Sequence, residues 1–277
     1  MPLERKVGII GCGTIGGQLA MAIDGGSVGN ASLVSLFDAV PGSAEGLKKK
    51  LLRSKPSSHA DFERFVGTGC DIVVEAASQE AVRRFAAKIL ESGKDIMVMS
   101  VGALADPELL AGLKESAAEN GSRIYVPTGA IAGIDAIRAA KGLLESVMLT
   151  TTKSPKALAG APFFETGKVK LEEVKERTQV YEGPAAEAVR LFPANVNVAA
   201  VLSLAGIGFE KTRVRIVADP AATTNQHEIT AKGGFGEFRF TVSNVPSPGN
   251  PKTSYLAVLS AIECLRSVCD DGMRIGS

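Results

Sequence analysis

The sequence predicts an α/β protein whose first half forms a doubly wound parallel sheet and whose second half forms a domain of α+β type. Between Val7 and Val126, short apolar runs alternate with segments of helical length. Such alternation is typical of parallel strands that are joined by crossover helices. Between Arg213 and Val245, three strand-like segments instead follow one another directly, which favours a mainly antiparallel sheet.

The first half divides into five strand-like runs and three helical segments. We expect strands at residues 7–10, 33–37, 71–75, 96–101 and 124–126, and helices at residues 14–23, 79–90 and 106–119. Pro107 falls in the first turn of the third helix, where a proline is tolerated because its missing N–H would have no helical partner.

The second half has a less regular rhythm. We expect helices at residues 135–144, 185–191 and 196–204, and strands at residues 147–152, 213–218, 228–232 and 235–245. The pair Gly233-Gly234 lies between the last two strands and indicates a hairpin. A final helix is expected over residues 254–269, where apolar residues are spaced for one buried face.

Composition excludes several classes of protein. The 277 residues are 45% hydrophobic and 22% charged, with a net charge of +1, so we expect a globular fold and no nucleic-acid partner. No apolar run reaches the roughly 18 residues that a membrane helix needs, and the first residues lack a signal-peptide layout. The four cysteines form no C-x-x-C pair and no cluster with histidine, so no metal site or disulfide is expected. These features predict a cytoplasmic protein.

A glycine-rich motif directly follows the first predicted strand. Residues 11–16, with the sequence GCGTIG, fit the pattern G-x-G-x-x-G and lead into the first helix. In a Rossmann dinucleotide-binding site, Gly11 permits the tight turn, Gly13 lets the backbone approach the pyrophosphate, and Gly16 lets helix and strand pack closely. The free N–H groups at the helix start, around Thr14 and Ile15, favour phosphate. The alternative is a turn that merely needs glycines.

Asp38 ends the second predicted strand. In a dinucleotide site, an acidic side chain at this place accepts hydrogen bonds from the ribose hydroxyls of the adenosine. Such a carboxylate favours NAD over NADP because it repels a 2′-phosphate. A solvated turn residue is the alternative.

Small residues follow the later strands of the first half. Because ligands of open parallel sheets gather at the carboxyl ends of the strands, these segments are candidates to lie against a nicotinamide ring, Ala76 and Ala77 first among them. Tight strand-to-helix turns would favour the same residue types. The segments are residues 76–78, 100–103 and 127–130.

Few side chains are candidates for proton transfer. Of the two histidines, His59 lies in a polar stretch and is expected at the surface, whereas His227 opens a predicted strand. Histidine is the commonest general acid or base, so His227 is a catalytic candidate, with a structural role as the alternative. Asn195 and Asn197 stand at the head of a helix, where either would cap the helix or bond a nicotinamide carboxamide.

The assembled residues resemble a known family, the L-aspartate dehydrogenases of the NadX type found in archaea and bacteria. The similarity runs nearly from end to end, and its later motifs are far more specific than the glycine motif. It rests on residues 8–16, 74–79, 128–136, 192–200, 227–229 and 250–255.

The resemblance implies a domain organisation. A Rossmann domain would occupy residues 1–127 and bind the dinucleotide. A domain for substrate binding and dimerisation would occupy residues 128–253 and form a homodimer through its sheet. A C-terminal helix, residues 254–270, would pack back on the first domain.

The resemblance also implies a reaction, the NAD- or NADP-dependent oxidation of L-aspartate to iminosuccinate. The imine either hydrolyses to oxaloacetate and ammonia or enters quinolinate synthesis for NAD. Ala130 and Asn197 would contact the cofactor, and His227 would be the catalytic acid or base. Lys153 and Asn195 are candidates to bind the substrate, although the family often has a basic pair where this chain keeps only Lys153.

Three rival interpretations stay open at this point. A semialdehyde or homoserine-type dehydrogenase is disfavoured because its thioester chemistry would need an activated cysteine, and Cys70 and Cys264 are poorly placed. An imine reductase similar to dihydrodipicolinate reductase would need a basic cluster that the sequence does not display. A non-catalytic NAD-sensing protein would bind the cofactor without turning over any amino acid.

Overall fold

The computed structural model describes residues 4–165, 167, 169–193, 197–247 and 250–270 of the 277. Its contacts divide the described chain into two compact units. The first unit contains the residues up to Pro127 together with those from Val258 onward, and the second contains Thr128–Ala257.

A six-stranded sheet forms the centre of the first unit. All its neighbouring strands are parallel, in the order β3-β2-β1-β4-β5-β6. This order confirms the predicted doubly wound sheet of the Rossmann type. The strands are β1 (Arg5–Ile10), β2 (Ala31–Phe37), β3 (Ser57–His59), β4 (Ile72–Glu75), β5 (Asp95–Val98) and β6 (Ile124–Tyr125).

Five helices connect these strands. Local signals start three of them: Asp61, Ser78 and Asp106 each accept a hydrogen bond from a backbone N–H of the first turn, which satisfies a donor without a helical partner. The helices are α1 (Thr14–Asp24), α2 (Ser43–Lys48), α3 (Phe62–Val66), α4 (Gln79–Glu91) and α5 (Pro107–Glu119), with a 3-10 helix at Val101–Ala105.

A mixed five-stranded sheet forms the centre of the second unit, in the order β11-β10-β7-β9-β8. Its neighbours are antiparallel except for β7 and β9, which are parallel. The strands are β7 (Leu144–Lys153), β8 (Thr178–Pro184), β9 (Arg213–Ala218), β10 (Asn225–Gly233) and β11 (Gly236–Asn244), and the short pair is β12 (Pro246–Ser247) and β13 (Asn250–Ser254).

The helices of the second unit are mostly short. The predicted hairpin is confirmed, because Gly233 pairs with Gly236 across the turn between β10 and β11. The helices are α6 (Ile134–Ala139), α7 (Pro155–Leu158), α8 (Pro162–Glu165), α9 (Ala185–Leu191) and α10 (Asn197–Ala205), with 3-10 helices at Lys141–Leu143 and Leu171–Glu173.

The C-terminal helix α11 (Tyr255–Cys269) completes the core of the first unit. Ala261, Leu265 and Cys269 are buried in one apolar cluster with Val7 of β1 and Leu19 of α1. The prediction that this helix packs back on the first domain is therefore confirmed.

The structure departs from the predicted elements in several places. The short helices α2, α3, α7 and α8 were not predicted, and the strand expected over residues 96–101 ends at Val98. The helix expected over residues 135–144 ends at Ala139 and is followed by a 3-10 helix, and β7 begins at Leu144. The edge strands β3 and β8 were not predicted, since a strand with one neighbour needs fewer apolar residues than a central strand. His59 lies in the edge strand β3 and is partly exposed, which agrees with the expected surface position.

Helix α1 begins directly against the end of β1, and glycine is required there. Gly11 has a φ of 91°, and a Cβ built on Gly16 would overlap the carbonyl oxygen of Gly11. No side chain larger than hydrogen fits between helix and strand at this point. The helix is therefore held against the sheet by backbone contact.

We predict that Gly16→Ala destabilises the protein by about 2 kcal/mol or more, because helix α1 must move away from β1 to admit the methyl group. Thermal unfolding measures the effect. Gly17→Ala is the matched control, since the added Cβ would meet only the Leu47 side chain, at 3.7 Å, and alanine favours a helix by about 1 kcal/mol over glycine. Equal melting temperatures for Gly16→Ala and the native protein would contradict the prediction.

Candidate functional site

The glycine motif of the first unit leaves open space where a phosphate would sit. Nothing lies within 4 Å of a Cβ built on Gly13, and Gly13 immediately precedes the first turn of α1. The first N–H groups of a helix have no partner within it and carry a partial positive charge. Backbone around Thr14 and Ile15 therefore forms a cradle that suits the pyrophosphate of a dinucleotide.

A cleft of about 650 Å³ lies beside this cradle, wholly within the first unit. Gly11 and Gly13 form one wall, Asp38 stands at the end of β2, and Ala76 and Ala77 follow β4. Clefts of this volume hold small molecules and cofactors. Five of the eight predicted cofactor residues of the first unit thus line one cleft, and the other three, Thr14, Ile15 and Gly16, lie in the adjoining first turn of α1.

The Asp38 carboxylate is fixed by the backbone around it. Its Oδ2 accepts the N–H of Cys12 at 2.7 Å and its Oδ1 accepts the N–H of Val40 at 2.8 Å. These bonds tie the end of β2 to the glycine motif. A carboxylate has about four acceptor positions, so Asp38 retains the capacity to bind ribose hydroxyls.

The four thiols do not support cysteine catalysis. Burial raises the pKa of Cys12 to about 12 and the pKa of Cys264 and Cys269 to about 11, and burial also raises the pKa of Cys70. A catalytic thiol needs a lowered pKa. The semialdehyde-type interpretation therefore finds no activated cysteine among the described residues.

Polar side chains lie buried on one face of the sheet in the second unit. His227 of β10 is opposite Thr151 of β7, and His227 Nδ1 lies 3.0 Å from Thr151 Oγ1. Lys153 follows Thr151 by two residues in β7 and Asn225 precedes His227 by two residues in β10, so both share this face. All four side chains are buried, and we call them the polar row.

Two side chains of the polar row have pKa values far below their usual ones. Burial and the positive charge of Lys153 lower the pKa of His227 to about 3. Burial lowers the pKa of Lys153 to about 8. At neutral pH the imidazole is therefore neutral and the ammonium still carries its charge.

The remaining predicted residues lie elsewhere in the second unit or outside the described chain. Ala130 is buried, and its carbonyl accepts a hydrogen bond from Asn244 Nδ2 at 2.9 Å. Asn244 pairs with Asn225 across β10 and β11, so this loop is tied to the strand that carries the polar row. Asn197 is exposed at the start of α10, and Asn195 lies outside the described residues.

Sequence reasoning missed Thr151, Asn225 and Asn244. The first two were detectable in principle, because they occupy alternate positions of strands whose other alternate residues are buried and apolar. A polar side chain at such a position must be satisfied within the fold or serve a ligand.

Two family models together match most of the chain. Residues 11–127 match the NAD-binding domain of homoserine dehydrogenase, and residues 135–268 match the C-terminal domain of aspartate dehydrogenase. The chain is 51% identical to L-aspartate dehydrogenase from Methanosarcina barkeri over 95% of this chain and 96% of that one. It is 47% identical to the enzyme of the same name from Nitrosopumilus maritimus, over 99% and 100% of the two chains.

This chain belongs to the L-aspartate dehydrogenase family. The resemblance stated from the sequence is thereby confirmed, and the first unit is an NAD(P)-binding domain. The crystal structure of aspartate dehydrogenase from Thermotoga maritima agrees, with a TM-score of 0.77 and 29% identity over 98% of this chain and 99% of that one.

Among more distant structures, GenD2 from gentamicin A biosynthesis was solved in complex with NAD. The match covers 100% of this chain and 90% of GenD2, with a TM-score of 0.59 and 14% identity. A likeness at this identity shows only that the two proteins share a fold.

Neither a metal centre nor a membrane span is visible in the part of the chain that the structure describes. No group of three or more metal-ligating side chains gathers there, and no described helix is long and apolar enough to cross a bilayer.

We predict that Gly13→Ala leaves folding unchanged and weakens NADH binding by about tenfold or more, because the methyl group would fill the space that a phosphate needs. Fluorescence titration with NADH and thermal unfolding measure the two effects. Gly112→Ala in α5 is the matched control, since a Cβ there also meets nothing within 4 Å and lies on a helix that does not line the cleft. Native affinity in Gly13→Ala would contradict the assignment of the cradle.

Proposed function

We propose that this chain oxidises L-aspartate to iminosuccinate with NAD or NADP, and that the product feeds NAD biosynthesis. Iminosuccinate not used in this way hydrolyses to oxaloacetate and ammonia. The observation that carries the proposal is the polar row, in which a neutral histidine and a charged lysine lie buried together in the domain that matches aspartate dehydrogenase. Such a pair suits proton transfer beside an anionic substrate.

In this proposal the first unit binds the cofactor and the second unit binds the substrate. The first unit, through Pro127 and with helix α11, binds the dinucleotide at the glycine motif, Asp38 and the backbone of Ala76 and Ala77. When bound, NAD(P) supplies the acceptor for the hydride that leaves C2 of aspartate. The second unit binds substrate, and the family resemblance implies that its Ala130 and Asn197 contact the cofactor. Asp38 makes NAD the preferred cofactor over NADP.

His227 is the proton acceptor in this proposal. The substrate amine must lose a proton before its lone pair can form the C=N bond as hydride leaves C2. In the tautomer that this proposal requires, Nδ1–H donates to Thr151 Oγ1, 3.0 Å away, and Nε2 receives the substrate proton. Substrate binding raises the low pKa of His227, because two carboxylates bring negative charge beside it. Alternatively, the neutral imidazole of His227 accepts a proton from the water that attacks the imine.

Lys153 binds a carboxylate of the substrate in this proposal. Its ammonium is charged at neutral pH and buried, so an ion pair formed there is stronger than one in water. Asn195 and backbone amides near Ala130 complete the binding of the dicarboxylate.

We further propose a cytoplasmic homodimer. Four free cysteines suit a reducing compartment. Strands β7 and β10 bury alternate residues and leave Thr150, Glu228 and Thr230 half-buried on the opposite face, and a second copy would cover that face. Sedimentation equilibrium measures the mass, and a monomer at micromolar concentration would refute the dimer.

We predict turnover with L-aspartate when NAD reduction is followed across a panel of amino acids. His227→Ala should lower kcat at least about 100-fold because it removes the proton acceptor, with NADH affinity unchanged. His59→Ala is the matched control, because this second histidine lies on the edge strand β3 of the first unit. Cofactor binding without turnover of any amino acid would instead support an imine reductase or an NAD-sensing protein.

We predict that inhibition by succinate, a dicarboxylate without an amine, weakens as the pH rises through about 8. Lys153 loses its charge above that pH because burial lowers its pKa to about 8, so the inhibition constant should rise about tenfold per pH unit. Lys153→Met should bind succinate weakly at every pH and show no such step. A step that persists in Lys153→Met would assign it to another group.

A further inference from the structure

Glu75 is a buried carboxylate at the end of strand β4. Only 1% of the residue is exposed, and among the described residues no other aspartate or glutamate is buried. Its neighbours at the same level of the sheet are Ile10, Val98 and Phe37, all buried and apolar. A side chain needed only to fill this position would also be apolar, because burying a charge costs several kcal/mol unless it is compensated.

Four hydrogen bonds compensate the charge. Oε1 accepts the N–H groups of Ala77 at 2.8 Å and Ser78 at 2.9 Å, together with the hydroxyl of Ser100 at 2.9 Å. Oε2 accepts the N–H of Ser100 at 3.0 Å. The three backbone groups can only donate, so this arrangement fits the ionised carboxylate, although burial raises the pKa of Glu75.

These bonds connect two loops that are separate in the chain. Ala77 and Ser78 follow β4, and Ser100 follows β5. The carboxyl ends of these strands form the edge of the sheet where ligands of this fold bind. Glu75 thus ties both loops to one point at that edge.

The loop after β4 lies directly against the glycine motif. A Cβ built on Gly11 would come within 2.7 Å of the backbone of Ala76 and 2.8 Å of the Cα of Ala77. The N–H of Ala76 also donates to the carbonyl of Ile10 at 2.8 Å. A shift of the Ala76–Ala77 backbone would therefore displace one wall of the cleft and press on the turn that holds the phosphates.

We propose that Glu75 is a positioning residue for the cofactor: its carboxylate holds the loops after β4 and β5 in the geometry that the dinucleotide needs. Glu75 does not itself line the cleft and acts through the backbone of these loops. The inference rests on the proposed function in one respect, since it requires that the first unit bind NAD.

The test compares Glu75→Gln with Asp95→Asn, two carboxylate-to-amide changes in one sheet. Asp95 begins β5 at the opposite edge and accepts hydrogen bonds from the Arg5 guanidinium at 2.6 Å and the Arg123 N–H at 2.8 Å. Both changes should lower the melting temperature, because each removes a charge that anchors backbone or a partner side chain. Only Glu75→Gln places an amide N–H₂ against N–H donors of the cofactor loops.

We expect Glu75→Gln to weaken NADH binding about tenfold and to raise the KM for NAD, with the KM for L-aspartate within about twofold of native at saturating NAD. Asp95→Asn should keep native NADH affinity. If Glu75→Gln does not fold, Ser100→Ala replaces it, because it removes one of the four hydrogen bonds to the Glu75 carboxylate and keeps the three from backbone N–H groups; about threefold weaker NADH binding is expected.

Native NADH affinity in a folded Glu75→Gln protein, or in Ser100→Ala when Glu75→Gln does not fold, would overturn the inference. Equal losses of NADH affinity in Glu75→Gln and Asp95→Asn would also overturn it, because a general loss of stability would then explain both. Failure of the native protein to bind NADH would refute the proposed function itself.

Discussion

The first unit depends on the contact between the start of helix α1 and the end of strand β1. Because Gly16 rests on the carbonyl of Gly11, the free N–H groups of the helix start lie at the carboxyl ends of β1 and its neighbour β4. The loop after β4 packs on the same turn, and Asp38 hydrogen-bonds to it from β2. The carboxyl ends of three neighbouring strands, β2, β1 and β4, therefore meet at the glycine motif. Contacts to the backbone of this motif hold all three ends in place.

The sequence predicted the central elements well and the peripheral ones poorly. Central strands such as β1 and β4 are buried on both faces and read as continuous apolar runs, so their limits and order followed from pattern alone. The edge strands β3 and β8 did not, because Ser57, Ser58 and His59 carry no apolar signal and β8 ends in Gly183-Pro184. Helix α6 was predicted too long, because the local pattern does not show that residues 141–143 form a 3-10 helix and that Leu144 already pairs with Gly233 in the sheet.

The cofactor residues of the candidate site could be predicted from local sequence, whereas the polar row could be predicted only in part. The glycine motif and Asp38 are contiguous or follow a strand at a fixed interval, so local sequence identifies them. The polar row is assembled by register: Thr151 meets His227 across 76 intervening positions, and a shift of one residue would turn either side chain to the opposite face. His227 was singled out from its residue type and the family resemblance, whereas Thr151 and Asn225 needed the pairing of β7 with β10.

The return of helix α11 to the first unit makes that unit discontinuous in the chain. Its six strands are all present by Tyr125, but Ala261, Leu265 and Cys269 belong to the same apolar cluster as β1 and α1, and they follow the whole second unit. During synthesis, the six strands of the first unit are made before the second unit, whereas helix α11 is made after it. The apolar surface that α11 covers can therefore be completed only when the last part of the chain has been made.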